Sequence, residues 1–237
     1  MSRPFVSCVC PTYNRREYLP ILLAIFDAQT YPKDRRELII LDDSPESNQD
    51  IIDLHKKDNK ITYVYSKERI ILGKKRNMLN EMAKGDYIFC FDDDDYYPPE
   101  KISYAITRMT GTKSIISGSS EMYIYYTHIN KIYSTPFRGN NHATNGTYAY
   151  HKSYLKNHKC NDDATFAEET SFTNNWDSPI LQLDPRKTIL CISHDSNTYD
   201  KKTIINNLKE TKLRLKDFID DKKFLKLYTE KFITGKS

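Results

Sequence analysis

Along the first half of the chain, short β-rich apolar runs alternate with segments whose apolar positions recur at helical spacing. Residues 5–10 read as a buried strand broken by Pro11, after which the polar Thr12-Tyr13-Asn14-Arg15-Arg16 hands over to a helix. That helix covers 18–28, with Leu19, Leu22, Leu23 and Phe26 inward, and Tyr31-Pro32 closes it. A second buried strand, 38–41, stops at Asp42-Asp43. A helix over 49–57 and a strand over 61–65 follow. The next helix spans 74–84, entered through Gly73 and ended by Gly85 as a left-handed cap. Residues 87–91 are a short buried strand that stops at Asp92-Asp93-Asp94-Asp95, and Pro99 opens a helix over 100–109.

Beyond residue 109 the pattern changes. Segments 115–118, 122–126 and 131–134 are β-rich, with Tyr123, Tyr125, Tyr126 and Tyr133 clustered, and predict an antiparallel or mixed sheet region. Residues 148–155 predict an edge strand and short helix, 170–176 a helical continuation, and 180–183 and 188–192 closing strands. From Lys201 onward the basic, periodic sequence predicts a helix pair docked on the domain, the alternative being a basic amphipathic surface for a membrane or partner.

Alternation of strands and helices predicts a parallel α/β sheet with ligand groups outside the carboxyl ends of its strands. Three such ends carry polar clusters: 11–16, Asp42-Asp43 and Asp92 to Asp95. Their repetition points to one nucleotide-binding crevice. Neither a Gly-x-Gly-x-x-Gly fingerprint nor a Walker loop is present, which argues against a dinucleotide enzyme of the usual type and against a P-loop nucleotidase.

The 237 residues suit one large domain, or a domain with an appendage. A net charge of +4 with no basic block disfavours nucleic acid as partner. The sequence contains no apolar stretch of bilayer length and no signal peptide, so a cytoplasmic location is expected. Its five cysteines read as reduced packing residues, without Cys-x-x-Cys spacing for zinc.

Four adjacent carboxylates repel one another, so they need a cation or must point into solvent. In extended backbone Asp92 and Asp94 share a face while Asp93 and Asp95 look elsewhere, which suits a hard divalent ion, Mg²⁺ or Mn²⁺. A solvated acidic turn before Pro98-Pro99 fits the same residues. A second acid concentration, Asp162-Asp163 through Glu168-Glu169, reads equally as an acidic first helical turn.

In order and spacing, 6–15, 37–44, 73–77 and 84–99 together resemble the family 2 type glycosyltransferases with the GT-A fold. The resemblance covers roughly the first half of the chain and is diffuse beyond Met109. It implies an α/β GT-A architecture: a mixed central sheet flanked by helices over 1–200, divided into a nucleotide-sugar half (1–109) and an acceptor-side half (110–200), with a helical extension over 201–237. It also implies a UDP-sugar donor held by Pro11, Thr12, Tyr13, Asn14, Arg15, Asp43 and Arg76, with Lys75 a further candidate. The family's Asp-x-Asp motif maps onto Asp92 and Asp94, making Asp94 the principal Mn²⁺ or Mg²⁺ ligand, while Asp92 or Asp93 meets ribose or ion. His194 is carried over as a third metal ligand, a structural histidine being the alternative.

The family's acidic pair before a helix corresponds to Glu168-Glu169. Glu169, with Glu168 in reserve, is the expected general base for an inverting transfer to a hydroxyl of a glycan, protein or lipid acceptor. The sugar, the acceptor and the oligomeric state, a homo-oligomer included, are left open. Two other readings compete: a sugar-1-phosphate nucleotidyltransferase, which normally has a Gly-rich basic loop that 11–16 lacks, and a non-catalytic nucleotide- or glycan-binding module.

Overall fold

The computed structural model describes residues 3–55 and 59–234, with side chains to residue 232. The elements run β1 (Val6–Thr12), α1 (Leu19–Asp27), β2 (Arg36–Asp42), α2 (Gln49–His55), β3 (Ile61–Tyr65), α3 (Leu72–Met82), β4 (Tyr87–Cys90), α4 (Lys101–Thr112) and β5 (Ile116–Gly118). Then come β6 (Tyr123–Tyr126), β7 (Lys131–Ser134), β8 (Ala149–His151), α5 (Glu169–Phe172), β9 (Leu181–Gln182), β10 (Leu190–Ser193), β11 (Lys209–Glu210) and α6 (Lys222–Thr229).

The main sheet has the order β3-β2-β1-β4-β8-β5-β9. Its first four strands are parallel, β8 is antiparallel to both β4 and β5, and β9 is parallel to β5. This is the mixed α/β sheet flanked by helices that the family resemblance implies, and its first four strands are the parallel run that the alternation predicts. Continuous burial of β1 and β2 explains why both read as apolar runs rather than alternating ones. Their reversal point matters most: β1 lies between β2 and β4, so the carboxyl ends of all three open on one crevice. A second, four-stranded sheet, β10-β6-β7-β11, is formed by the tyrosine-rich segment and is itself mixed.

Four local expectations are corrected. The strand in 148–155 is not an edge: β8 lies inside the main sheet between β4 and β5. Gly85 is not a left-handed cap: Gly139 is the one positive-φ glycine among the described residues, and α3 ends at Ala83 in extended backbone. Gly85 is glycine because a Cβ there would lie 2.5 Å from the Ser7 amide nitrogen, where the chain passes β1. Nor does a helix fill 170–176: α5 stops at Phe172, and Asn174, Asn175 and Trp176 all have positive φ. Finally, 201–234 holds one α-helix rather than a pair. Residues 201–207 and 215–217 are 3₁₀ turns, and β11 adds an edge to the second sheet. Asp221 caps α6 by accepting from the Lys223 and Phe224 amides, and a π-helical turn at Glu230–Thr234 extends it. The expected end of the 49–57 helix, positions 56 and 57, lies outside the described residues.

Candidate active site

β4 ends at Cys90, and the acid run follows as bends rather than as extended chain. The four carboxylates nevertheless divide by alternation. Asp93 turns inward, where Thr12 Oγ1 donates to it at 2.5 Å, and Asp95 turns inward to accept the Ile192 amide at 2.7 Å. Burial, and next the charge of Asp94, pushes the Asp93 carboxyl well above the usual range and that of Asp95 up to about 7. Asp94 goes the other way. Burial alone would raise it, but His194, Lys201 and Arg15 outweigh that and hold it low. Mutual repulsion is thus eased by alternation: burial favours the neutral form of Asp93 and Asp95, while the neighbouring donors and cations favour the charged form of Asp94.

Asp92 and Asp94 remain for chemistry. Asp92 accepts from Arg76 Nη2 at 3.0 Å through Oδ1, and Asp94 accepts from His194 Nε2 and Asn197 Nδ2, both at 3.1 Å, through Oδ2. Among the described residues, the second oxygen of each carboxylate has no hydrogen bond. Gly146 leaves room for the one on Asp92, since a Cβ there would sit 3.0 Å from Oδ2. Two carboxylates with open oxygens fit a hard divalent cation. Among the described residues, no three His, Cys, Asp or Glu side chains are grouped to hold a metal, so a cation here needs further ligands from a bound molecule.

The helix facing this run supplies cations. Gly73, in the first turn of α3, would place a Cβ 1.9 Å from the Asn161 carbonyl oxygen, and its amide donates to Ala164 O. Glycine therefore lets the loop 161–168 lie directly on α3. That contact delivers Glu168 to Arg76, whose Nε lies 2.8 Å from Glu168 Oε1. Asn145 joins the two acids: its side chain donates to Glu168 at 3.3 Å and its amide to Glu169 at 3.1 Å. Burial first, then the neighbouring Glu168, raises the Glu169 carboxyl.

These groups share one cavity of about 510 Å³. Pro11, Thr12, Tyr13 and Arg15 line it, as do Arg76, Asp92 to Asp95, Glu168 and Glu169. Asn14, Asp43 and His194 do not. Asn14 takes a left-handed conformation with its amide on Ser44. Asp43 is wholly enclosed: it accepts from Lys75, from Arg69 at 2.6 Å and from the Ile70 amide at 2.7 Å. The Arg69 guanidinium also covers the ring of Tyr13 at 3.5 Å. Asp43 thus acts on the crevice through the 69–70 turn that it anchors.

Two residues on the wall are not marked as site residues by the sequence. Arg69 precedes α3 in an unpatterned turn. Lys201 opens the basic stretch whose sequence reads as a docked helix pair or a basic surface, yet it lies in the cavity wall. Burial alone would lower its ammonium; Cys191, Asp95, Asp94 and Asp92 raise it instead.

The sequence profile described as "Glycosyl transferase family 2" matches residues 7–172, well over half of the chain. The chain belongs to this family. Among characterised relatives, the poly(ribitol-phosphate) beta-glucosyltransferase of Bacillus spizizenii is 36% identical over 102 residues, 41% of this chain and 16% of that protein. Abequosyltransferase RfbV of Salmonella typhimurium is 29% identical over 113 residues, 46% and 34% of the two chains. This chain spans less than half the length of the curated relatives it matches. Staphylococcus aureus TarS in complex with UDP-GlcNAc superimposes with TM-score 0.66 at 19% identity, covering 81% of this chain and 60% of that one. The mannosyltransferase PcManGT of Pyrobaculum calidifontis, solved with GDP-Man and Mn²⁺, gives 0.66 at 14%, covering 83% and 59%. These likenesses show the GT-A fold. The family match ends at Phe172, so His194, Lys201 and α6 all lie beyond it.

Proposed function

We propose that this family 2 chain is a metal-assisted glycosyltransferase that moves a sugar from a UDP-sugar to an acceptor hydroxyl with inversion. What carries the reading is one cavity that joins two open carboxylates, Asp92 and Asp94, to the cations Arg15, Arg76 and Lys201 and to a carboxyl of raised basicity, Glu169. Nucleotide-sugar complexes of TarS and PcManGT support the donor class, and the Mn²⁺ in the latter supports a metal.

The uridine would enter between Thr12, Tyr13 and the 69–72 turn. Arg76 Nη1 is buried without a hydrogen-bond partner, as expected of a donor reserved for a phosphate oxygen. Mn²⁺ or Mg²⁺, held by Asp94 and Asp92, would supply Lewis-acid stabilisation of the departing diphosphate. Lys201 and Arg15 add fixed positive charge on the same side. Glu169 would take the proton of the acceptor hydroxyl as its oxygen bonds to the anomeric carbon and UDP leaves from the opposite face. Glu168, neutralised by Arg76, would keep that arrangement rigid.

The test is a panel of UDP-glucose, UDP-GlcNAc and GDP-mannose with and without Mn²⁺, read by thermal shift and by nucleoside diphosphate release. A UDP-sugar that raises Tm only with metal, and is consumed, is the expected result. Full activity in Asp94→Ala, or no consumption of any nucleotide sugar across a broad acceptor set, would defeat the reading.

A further inference from the structure

His194 stands behind Asp94, outside the cavity wall, and its hydrogen-bond neighbours bear on which ring nitrogen carries the proton. The Ser196 amide donates to Nδ1 at 3.2 Å, and the Tyr18 hydroxyl lies 3.1 Å from the same atom. A nitrogen that accepts a backbone N–H is unprotonated, so the neutral ring carries its proton on Nε2. Nε2 faces the Asp94 carboxylate at 3.1 Å. An ionised carboxylate only accepts, so it requires the same tautomer. Asn197 sits against both groups: its Oδ1 accepts the His194 amide at 2.7 Å, and its Nδ2 lies 3.1 Å from Asp94 Oδ2 and 3.0 Å from His194 Nε2, so with the proton on Nε2 both nitrogens donate to Asp94 and not to each other. Two donors thus hold Asp94 Oδ2, and Oδ1 is left for the cavity.

The ring plane is set by aromatic neighbours from both ends of the chain. Tyr18 stacks on His194 with centroids 4.9 Å apart and planes at 23°, and Phe232 stacks at 5.8 Å and 22°. Tyr18 and Phe232 also touch each other, at 6.3 Å. The segment bearing Phe232 is tied to the acid run a second time, through Tyr228, whose hydroxyl donates to the Asp95 carbonyl at 3.1 Å. The C-terminal segment therefore meets this centre at two points.

We propose that His194 is a positioning residue which donates through Nε2–H to aim Asp94, rather than a metal ligand, and that Tyr18 and Phe232 hold its ring for that purpose. This rests on Asp94 serving the proposed function, and it makes the C-terminal segment part of the active site. A ligating imidazole would need the Nε2 lone pair, and the Ser196 amide opposes the tautomer that frees it.

The test uses the full chain labelled with ¹⁵N-histidine, with nitrogen-detected imidazole correlations read first without ligand. One Nε2–H tautomer for His194 is expected, and it should persist when Mg²⁺ and UDP are added. Phe232→Ala and Tyr18→Phe should give mixed tautomers and weaken Mn²⁺ binding in the presence of UDP by about 10-fold or more, the usual effect of removing a residue that orients a ligand. Leu225→Ala, on the same helix but away from the stack, controls for stability and should lower Tm without altering the ring signals. Loss of the Nε2 proton on adding metal would overturn the proposal, as would ring signals and Mn²⁺ affinity that are unchanged in Phe232→Ala. The ligand-free tautomer needs neither metal nor turnover. A chain that keeps it but binds no nucleotide sugar would defeat the proposed function and leave the geometry of His194 standing.

Discussion

Arg76 Nε lies 2.8 Å from Glu168 Oε1, joining residues 92 positions apart, and the same guanidinium reaches Asp92 at 3.0 Å. This pair joins the nucleotide-side helix α3 to the loop that presents the candidate base. Both side chains are almost fully buried, so the pair is a buried ion pair rather than a surface one.

Removing one partner leaves the other charge buried and uncompensated. Arg76→Met should lower unfolding stability by about 3–5 kcal/mol, the usual effect of breaking a buried pair, measured by urea denaturation without ligand. The double variant Arg76→Met/Glu168→Met should recover part of that loss. A double variant no better than the single would show that the pair is not the unit that matters.

Glu169 tests the base. Its carboxyl is raised above the ordinary 4.5, by burial first and by Glu168 second, and a base acts only when deprotonated. Turnover should therefore rise with pH through a midpoint above 4.5. Glu169→Gln should lower kcat by about 10²- to 10⁴-fold while leaving UDP affinity nearly unchanged. Glu168→Gln removes the neighbouring charge, so it should move the midpoint to lower pH. An unmoved midpoint would assign the profile to another group.

Lys101 is 2% exposed, donates to the Cys90 and Gly146 carbonyls at 3.0 and 2.6 Å, and lies 3.9 Å from the centre of the Tyr97 ring. Burial pulls its ammonium down to about 7 from 10.5. Between those values the unfolded chain binds the proton and the folded chain does not, so this residue's contribution to stability improves as pH rises across the window. Below about 7 the cost of burying the charge is present in full. The stability of the protein minus that of Lys101→Met should accordingly climb from pH 7 to 10, with a slope of up to about 1.4 kcal/mol per pH unit. A flat difference would mean that the ammonium stays charged throughout.

Gly73→Ala separates local propensity from tertiary fit. In an isolated helix the change stabilises by up to about 1 kcal/mol. Here the new Cβ would meet the Asn161 carbonyl at 1.9 Å, so the 161–168 loop must move. We expect lower Tm and a larger loss in kcat than in UDP affinity, because that loop leads directly into the acid pair Glu168-Glu169, whereas Thr12 and Tyr13 on the nucleotide side come from the end of β1. A variant of unchanged kcat would show that the loop's seat on α3 does not set the acids.

Much of this molecule was legible before its structure. β1, β2, β3, α3 and β4 fall where the alternation of apolar runs and helical spacing puts them; β1 and β2 are plainest because a parallel sheet covered on both faces leaves its inner strands continuously apolar. Asp92 and Asp94 were separated from Asp93 and Asp95 by side-chain alternation alone, and that division recurs in which acids are turned inward. The C-terminal segment was less legible. Its apolar spacing suggested two helices, but 209–210 are claimed by a strand edge whose partner, β7, lies some 75 residues earlier. Local pattern carries no information about such a pairing.

The sequence by itself determined the parallel strands of the first half, the crevice at their carboxyl ends and the acids placed there, since each follows from periodicity and residue type within a short window. Only the tertiary structure decided the partners. Arg76 on Glu168, Lys201 on the cavity wall, Asp43 enclosed by Arg69 and Lys75, and His194 stacked on Phe232 are meetings between distant segments. In each, burial removes water as the alternative partner, so charge and hydrogen-bond satisfaction must come from whatever the fold brings near.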